Sequence, residues 1–233
     1  MDTNRSAQGN STRALIVELD YTVLGGHKAL LDIFTKRLSK EGIALTPFDA
    51  ARYLDGRLFA AGIGAICEAK GKQTVDAPTV AAECQTAFSA AMDKAAASLP
   101  KAALDGVADL LKKDFGKVIV LSCASEEALR AAFASVASPN LLLVHENATV
   151  YGSTAWETIR RVCRKNSLIE RLIAILVGSG YSVKSAITAG MGVLAVPNPI
   201  VEYQDFTGAD ALVSEFNVET ANELFRLLRI SNA

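Results

Sequence analysis

The chain has 233 residues, half of them apolar, which is enough for a sizeable core in one domain or in one domain with an insert. Its 24 basic and 25 acidic residues nearly cancel, so the charge gives no reason to expect binding to nucleic acid or to a membrane surface. No apolar run is long enough to span a bilayer, and residues 1–12 lack the apolar segment of a secretory signal.

The N-terminal residues and the cysteines indicate where the protein works. Residues 1–12 are polar and predict a loose tail. Four cysteines, at positions 67, 84, 123 and 163, have no metal-type spacing. We therefore expect reduced, mostly buried thiols and a cytoplasmic location.

The first apolar segment of the chain, residues 14–17, is typical of a buried parallel strand. Two acids, Glu18 and Asp20, follow it, and Thr22 comes two residues later. The carboxyl ends of strands in an open α/β sheet form the edge where ligands bind. Strand alternation predicts that Glu18 and Asp20 lie on the same side of the chain and face one cleft. The alternative is that both acids are solvated ends of a strand.

Residues 25–98 predict an all-helical block. Helical spacing of apolar residues runs from His27 to about Glu41, and residues 47–70 predict short helices with a turn at Asp55-Gly56. Residues 76–97 are rich in alanine, and Pro78 stands in the first turn of the helix predicted there. His27 is expected on the surface at the start of its helix. The alternative prediction is that His27 contacts a ligand.

Beyond this block, strands and helices alternate. Strands are predicted over residues 117–121, 141–144, 172–177 and 193–196, with a short sixth over 211–213. Helices are predicted over residues 104–114, 126–136, 152–165, 180–189 and 218–228. Four basic residues at positions 160, 161, 164 and 165 predict the solvated face of one helix. The alternation indicates an α/β fold, a Rossmann-like parallel sheet with helices on both faces.

The segment Glu18-Leu-Asp20-Tyr-Thr22 resembles the first motif of the haloacid dehalogenase (HAD) superfamily, an apolar strand followed by Asp-x-Asp-x-Thr or Val. The resemblance covers about residues 13 to 216. It implies a tail over residues 1–12, a core over 13–24 and 99–233, and a helical cap of the C1 type over 25–98, inserted after the first strand.

In this superfamily the first acid attacks the phosphoryl group and the second acts as acid and base. The resemblance therefore puts Glu18 at the nucleophile position, where it is one methylene too long, and Asp20 at the acid/base position. A misplacement of about 1 Å can reduce the rate on the order of a hundredfold. Thr22 matches the next fixed position, and Ser122, at the end of the second strand, matches the hydroxyl that binds phosphate.

The segments that match the third and fourth motifs of the superfamily can be placed in the sequence, but their charged residues are replaced by uncharged ones. Ser153 stands where the family has a lysine. After the fourth strand, Gly178-Ser179 replaces Gly-Asp, and Ser182 replaces the second acid. Lys184 or Lys165 is a candidate to replace a motif residue, a question that the sequence leaves open.

The leading hypothesis is a pseudoenzyme that has lost phosphatase chemistry and binds a small anion, a phosphorylated molecule or a protein partner. The ligand-binding candidates are Thr22, Ser122, Ser153, Gly178 and Ser179. No cofactor is expected, and a homodimer is one form that binding could take.

Two other functions stay open. The first alternative is an active hydrolase of small phosphate esters, with Asp20 as acid/base and Glu18 as metal ligand or nucleophile; Glu18 and Asp20 would then hold Mg²⁺. The second is a structural interaction protein, which an exposed apolar patch on the cap would support.

Two further features have less specific interpretations. Cys123 follows Ser122 and is expected to be an inert, partly buried thiol rather than a nucleophile. Gly178-x-Gly180 after a strand hints at a dinucleotide turn, but the third glycine of that motif is absent.

Overall fold

A computed structural model describes residues 12–113 and 115–230 of the chain. The predicted tail, residues 1–12, lies outside the described residues except for Thr12, which begins the first strand. Among the described helices, none is long and apolar enough to cross a membrane.

In the described part of the chain, six parallel strands form a single sheet, as predicted. They are β1 (Thr12–Glu18), β2 (Gly116–Ser122), β3 (Leu141–His145), β4 (Leu168–Val177), β5 (Gly192–Ala195) and β6 (Ala211–Leu212). Their order is β3-β2-β1-β4-β5-β6, so β1 lies in the interior and β3 forms one edge. The chain reverses its direction of winding at β1, and the carboxyl ends of β1, β2 and β4 meet there.

The apolar run of β1 is buried on both faces of the sheet. Val17 lies opposite Val120 of β2 and Leu176 of β4, and all three side chains are fully buried. Burial on both sides explains why the strand is continuously apolar instead of alternating.

Helices cover the sheet on both faces. The helices outside the insert are α6 (Lys101–Leu111), α7 (Glu126–Ala132), α8 (Trp156–Lys165), α9 (Gly180–Thr188) and α10 (Val218–Ile230). A 3₁₀ turn, Ala134–Val136, follows α7. The cores of α6, α7 and α10 pack with Leu15 and Val17, whereas α8 and α9 pack with Ile16. Alternate residues of β1 therefore anchor opposite helical layers.

The segment between β1 and α6 is helical wherever it has regular structure, apart from one isolated bridge. After a helical turn α1 (Leu19–Thr22), it contains α2 (Gly26–Ser39), α3 (Pro47–Asp49), a π-helical turn (Ala50–Leu54), α4 (Phe59–Ala69) and α5 (Ala77–Ala96). We call residues 25–98 the helical insert. Inside it, Phe34 packs edge-on against Phe59 and against Tyr151 of the core, with ring centroids 5.0 Å apart in both pairs.

A short backbone seam joins the insert to the core. Leu58 and Val150 form an antiparallel bridge, and the Gly56 N–H donates to the Tyr151 carbonyl at 3.1 Å. Asp55 accepts hydrogen bonds from the side chains of Tyr203 and Gln204, which lie between β5 and β6. These contacts hold the insert against the carboxyl edge of the sheet.

The helix predicted over residues 152–165 is shorter than expected. It begins at Trp156, because Gly152 adopts a φ of 72° and residues 152–155 form a loop. The sequence signal for the helix came from its apolar face, which includes Ile159 and Val162. The loop that precedes α8 instead enters the cleft at the end of β1.

Candidate functional site

The cleft lies where β1, β2 and β4 end, and Glu18 is the last residue of β1. Its side chain is 2% exposed. Glu18 Oε1 accepts hydrogen bonds from the Thr154 N–H at 2.9 Å and the Ser182 hydroxyl at 3.1 Å. Oε2 accepts one from the Gly178 N–H at 2.8 Å. Burial raises the pKa of Glu18, and these three donors oppose the shift.

Asp20 faces a different neighbour. It accepts hydrogen bonds from the Ser122 hydroxyl and, at 2.7 Å, from the Cys123 N–H, both at the end of β2. Its side chain is buried, and burial raises the pKa of Asp20 against the effect of these donors. The two acids are thus turned toward opposite neighbours of β1, Asp20 toward β2 and Glu18 toward the end of β4.

The expected strand alternation of Glu18 and Asp20 is wrong. The strand ends at Glu18, and Asp20 lies in the helical turn α1. The Val23 N–H closes that turn on the Leu19 carbonyl at 2.9 Å, and the Thr22 hydroxyl donates to the Glu18 carbonyl at 2.6 Å. The hydrogen bond of Thr22 is therefore local.

The predicted ligand-binding serines, Ser122, Ser153 and Ser179, are all buried. Ser122 donates to Asp20 and accepts from the Ala124 N–H at 3.0 Å. Ser179 caps the N-terminus of α9 by accepting from the Ser182 N–H at 3.1 Å, and its hydroxyl lies 3.0 Å from the Ser182 hydroxyl. Ser153 is 5% exposed and lines a small cavity beside Asp20.

Neither candidate lysine lies in the cleft. Lys184 pairs with Asp205 at 3.1 Å on the surface, and its side chain is 59% exposed. Lys165 is exposed at the C-terminal end of α8, where it lines a groove along β3. Within the described residues, neither replaces the lysine of the third motif or an acid of the fourth.

His27 is buried, which corrects the expectation of a surface histidine. Its Nε2 donates to the Gly178 carbonyl at 2.9 Å, and its ring lies 4.9 Å from the Tyr21 ring. Burial lowers the pKa of His27 to about 4, so the imidazole is neutral at pH 7. In the sequence, the pair Gly25-Gly26 was the only sign that the start of this helix packs closely. A Cβ at position 26 would lie 2.7 Å from the Asp20 carbonyl oxygen, so glycine permits the close approach of the helix to Asp20.

The open space in the cleft is small. A cavity of about 10 Å³, roughly the room of one water molecule, lies beside Asp20 and Ser122. Its lining contains the carboxylates of Asp20 and Glu146 and no lysine or arginine. Cys123 also lines it, and burial raises the pKa of that thiol far above its ordinary value, which fits the expected inert cysteine.

The donor set does not fit Mg²⁺, the metal that the family resemblance implies. Both oxygens of Glu18 accept hydrogen bonds from backbone N–H groups, and the fourth motif supplies the hydroxyls of Ser179 and Ser182 instead of carboxylates. Nowhere in the described parts of the chain do three or more His, Cys, Asp or Glu side chains come together in a metal-binding group. Mg²⁺ prefers several hard oxygen ligands in octahedral geometry.

Comparisons with known proteins identify the fold. No family model and no curated protein sequence matches the chain. Solved structures do match. A β-phosphoglucomutase (pgmB) from Clostridium difficile has a TM-score of 0.65 at 16% identity, covering 94% of this chain and 99% of that one.

Two further solved structures agree with that match. CbbY from Rhodobacter sphaeroides, in complex with phosphate, has a TM-score of 0.62 at 16% identity, covering 88% of this chain and 95% of that one. A phosphonoacetaldehyde hydrolase-like protein from Oleispira antarctica has a TM-score of 0.62 at 14% identity, with 98% of each chain covered. The architecture, strand order and these likenesses agree, and the chain has the fold of the haloacid dehalogenase-like hydrolases.

Proposed function

We propose that this protein does not catalyse phosphoryl transfer and works instead by binding another molecule. The observation that carries the proposal is the state of Glu18. At the position of the nucleophile, both carboxylate oxygens accept hydrogen bonds from N–H groups of the protein itself, those of Thr154 and Gly178. A carboxylate held in this way has to give up those bonds, inside a buried site, before it can attack.

The electrostatics of the cleft support the same proposal. Phosphoryl transfer depends on positive charge placed where negative charge develops. Among the described residues, the lining of the cavity beside Asp20 contains two carboxylates and no cation, and Arg161, which does not line the cavity, is already paired with one of them, Glu146. Ser153 provides a neutral hydroxyl at the position where the family has a lysine, and Lys184 is engaged with Asp205 on the surface.

Among the ligands predicted from the sequence, we propose a protein partner, because the size and the occupied donors of the cleft speak against a phosphorylated molecule. A phosphate group needs more room than one water molecule and needs donors that are not already used. Ser122, Ser179 and the Gly178 N–H all contribute their hydrogen bonds to neighbouring groups of the protein. A small anion therefore stays the less favoured ligand, with Ser153 as the candidate that lines the cavity.

The test is hydrolysis of para-nitrophenyl phosphate by the purified chain, with and without Mg²⁺, beside Asp20→Asn and an exposed control, Asp32→Asn. We expect turnover at background in every sample. Mg²⁺-dependent turnover that Asp20→Asn abolishes and Asp32→Asn retains would overturn the proposal and support the active phosphatase. Circular dichroism shows whether each variant is folded.

A second set of variants tests whether restoring the nucleophile alone, or the nucleophile, the cation and the metal acid together, restores activity. Glu18→Asp alone shortens the side chain but leaves Ser153 and Ser179 unchanged, so we expect no activity from it. The triple variant Glu18→Asp, Ser153→Lys, Ser179→Asp returns a nucleophile, a cation and a metal acid. Activity in the triple variant but not in Glu18→Asp would show that the frame is intact and that the substituted groups account for the loss.

A further inference from the structure

The edge strand β3 is open along one side. It pairs with β2 in parallel, and within residues 12–113 and 115–230 no strand lies on its other side. Its residues Leu141–His145 contain four consecutive aliphatic side chains, all half-buried, and neither proline nor a charged residue. Natural proteins usually protect an edge of this kind with charges, prolines or bulges within the strand.

The pairing with β2 shows which backbone groups of β3 point outward. The Asn140 carbonyl accepts from the Val118 N–H, and the Glu146 N–H donates to the Ser122 carbonyl, each at 2.9 Å. In a parallel ladder alternate residues direct their N–H and C=O groups to the same neighbour. The groups of Leu143 and His145 therefore face away from β2, into the space beside the strand.

That space is a groove of about 610 Å³ along β3, between α7 and α8. We call it the edge groove. Leu141 and Leu143 pack with the layer that contains α7, whereas Leu142 and Val144 pack with the layer that contains α8. An added strand would cover the half-buried side chains of both layers at once and would pair with the outward backbone groups.

The charges of the edge groove are unequal on its two walls. On the α7 wall, Arg130 pairs with Glu126. On the α8 wall, Arg161 pairs with Glu146, whereas the side chain of Lys165 makes no hydrogen bond or close ion pair among the described residues and interacts only at longer range with Glu126 across the groove. The α8 helix also exposes two further arginines, Arg160 and Arg164. Of the four basic residues that the sequence predicted to form a solvated face, Arg161 and Lys165 line this groove.

We propose that the edge groove binds an extended segment of a partner protein, which adds to β3 as a further strand and directs acidic side chains toward α8. A second copy of the chain fits less well. Antiparallel pairing of two β3 strands about a two-fold axis perpendicular to the sheet sets α8 against α8, cation facing cation. This inference lies outside the cleft and goes beyond the proposed function, so a phosphatase assay with a positive result would leave it standing.

The experiment uses the full chain and a capped synthetic peptide in which glutamate and valine alternate over seven residues. As a strand this peptide presents carboxylates on one face and methyl groups on the other. Its control has lysine in place of glutamate. We expect the glutamate peptide to bind more tightly at low salt, and binding to slow the amide hydrogen exchange of Leu143 and His145.

Two charge-reversal variants test whether the positive charge of the α8 wall contributes to binding. Lys165→Glu reverses an exposed charge on the α8 wall, and Lys36→Glu reverses an exposed charge on α2 in the helical insert. We expect Lys165→Glu to weaken binding of the glutamate peptide about two- to fivefold, as for the loss of an exposed ion pair, and Lys36→Glu to leave it unchanged. Leu143→Pro removes one outward N–H of β3, so the peptide should no longer slow the amide hydrogen exchange of His145 in this variant. If Leu143→Pro does not fold, the comparison of Lys165→Glu with Lys36→Glu still tests the proposal.

Three results would overturn the proposal. The first is equal binding of the glutamate and lysine peptides, and the second is no binding of the glutamate peptide at about 1 mM. The third is a dimer in sedimentation that Leu143→Pro converts to a monomer, because the occupant of the groove would then be a second copy. Preferential binding of the glutamate peptide, lost in Lys165→Glu, supports an acidic partner segment.

Discussion

The Gly178 N–H donates to Glu18 Oε2 at 2.8 Å, and this bond connects the end of β1 to the end of β4. The Gly178 carbonyl accepts from His27 Nε2 at 2.9 Å, so the same residue also anchors the helical insert. Gly178 is therefore a junction between the nucleophile position, the fourth motif and the insert. The hydrogen bonds of Glu18 to Thr154, Gly178 and Ser182 stabilise this junction.

Replacing Glu18 with Gln should destabilise the protein. An amide keeps one acceptor oxygen and turns an NH₂ donor toward the N–H of either Thr154 or Gly178, both of which now donate to Glu18. Leaving such a buried donor unpaired costs about 1–3 kcal/mol. The free energy of unfolding from urea titration measures the loss.

The matched control is Glu127→Gln on the exposed face of α7. We expect a change within about 0.5 kcal/mol there, as for ordinary surface substitutions. Equal stability of Glu18→Gln and wild type would contradict a structural role for the Glu18 carboxylate.

A Gly178→Ala substitution should prevent normal folding of the cleft. A Cβ at this position would lie 2.5 Å from the Tyr21 carbonyl oxygen, a contact that backbone movement alone can relieve. Gly64→Ala is the control, because a Cβ there meets no atom within 4 Å and alanine favours the helix by about 1 kcal/mol. Thermal unfolding should show a lower Tm for Gly178→Ala and a higher one for Gly64→Ala, and similar Tm values would count against the close approach.

Tyr21→Phe should leave stability unchanged or raise it by about 1 kcal/mol. The Tyr21 hydroxyl is buried and has no hydrogen-bond partner among the described residues, so its removal takes away an unsatisfied polar group. Tyr203→Phe is the contrasting variant, because it deletes the hydrogen bond to Asp55 and should cost about 1 kcal/mol. Clear destabilisation by Tyr21→Phe in urea titration would mean that a bound water or ligand uses this hydroxyl.

The burial of the Asp55 carboxyl, which accepts hydrogen bonds from Tyr203 and Gln204, should make stability depend on pH. Burial raises the pKa of Asp55 from 3.8 to about 6. The folded state therefore keeps a proton that the unfolded state releases above about pH 4, and stability falls as the pH rises from about 4 to 6 and then levels off.

Asp55→Asn cannot titrate at this position and should remove that part of the pH dependence. Wild type should lose about 1–2 kcal/mol more than the variant over this range, a figure reduced for partial solvent screening. Urea titrations of both proteins at pH 4, 5, 6 and 7 give the comparison. Parallel stability curves would contradict the raised pKa.

The sequence alone was enough to predict the sheet and the position of the cleft. Continuous apolar runs such as residues 14–17 and 172–177 are local signals of strands buried on both faces. The proximity of Glu18 to Gly178, and of Asp20 to Ser122, follows once the strands are parallel, because their carboxyl ends share one edge of the sheet. The resemblance to the HAD superfamily was also carried by short segments at the ends of these predicted strands.

Only the tertiary structure decided how the acids are used and which surfaces stay open. The turn at Asp20, the burial of His27 and the bond from Thr154 to Glu18 depend on contacts between segments far apart in sequence, which no local pattern records. The exposure of β3 depends on strand order, which hydrophobic periodicity does not specify. Periodicity reports which side chains are buried, whereas hydrogen-bond partners and sheet edges are set by the assembled chain.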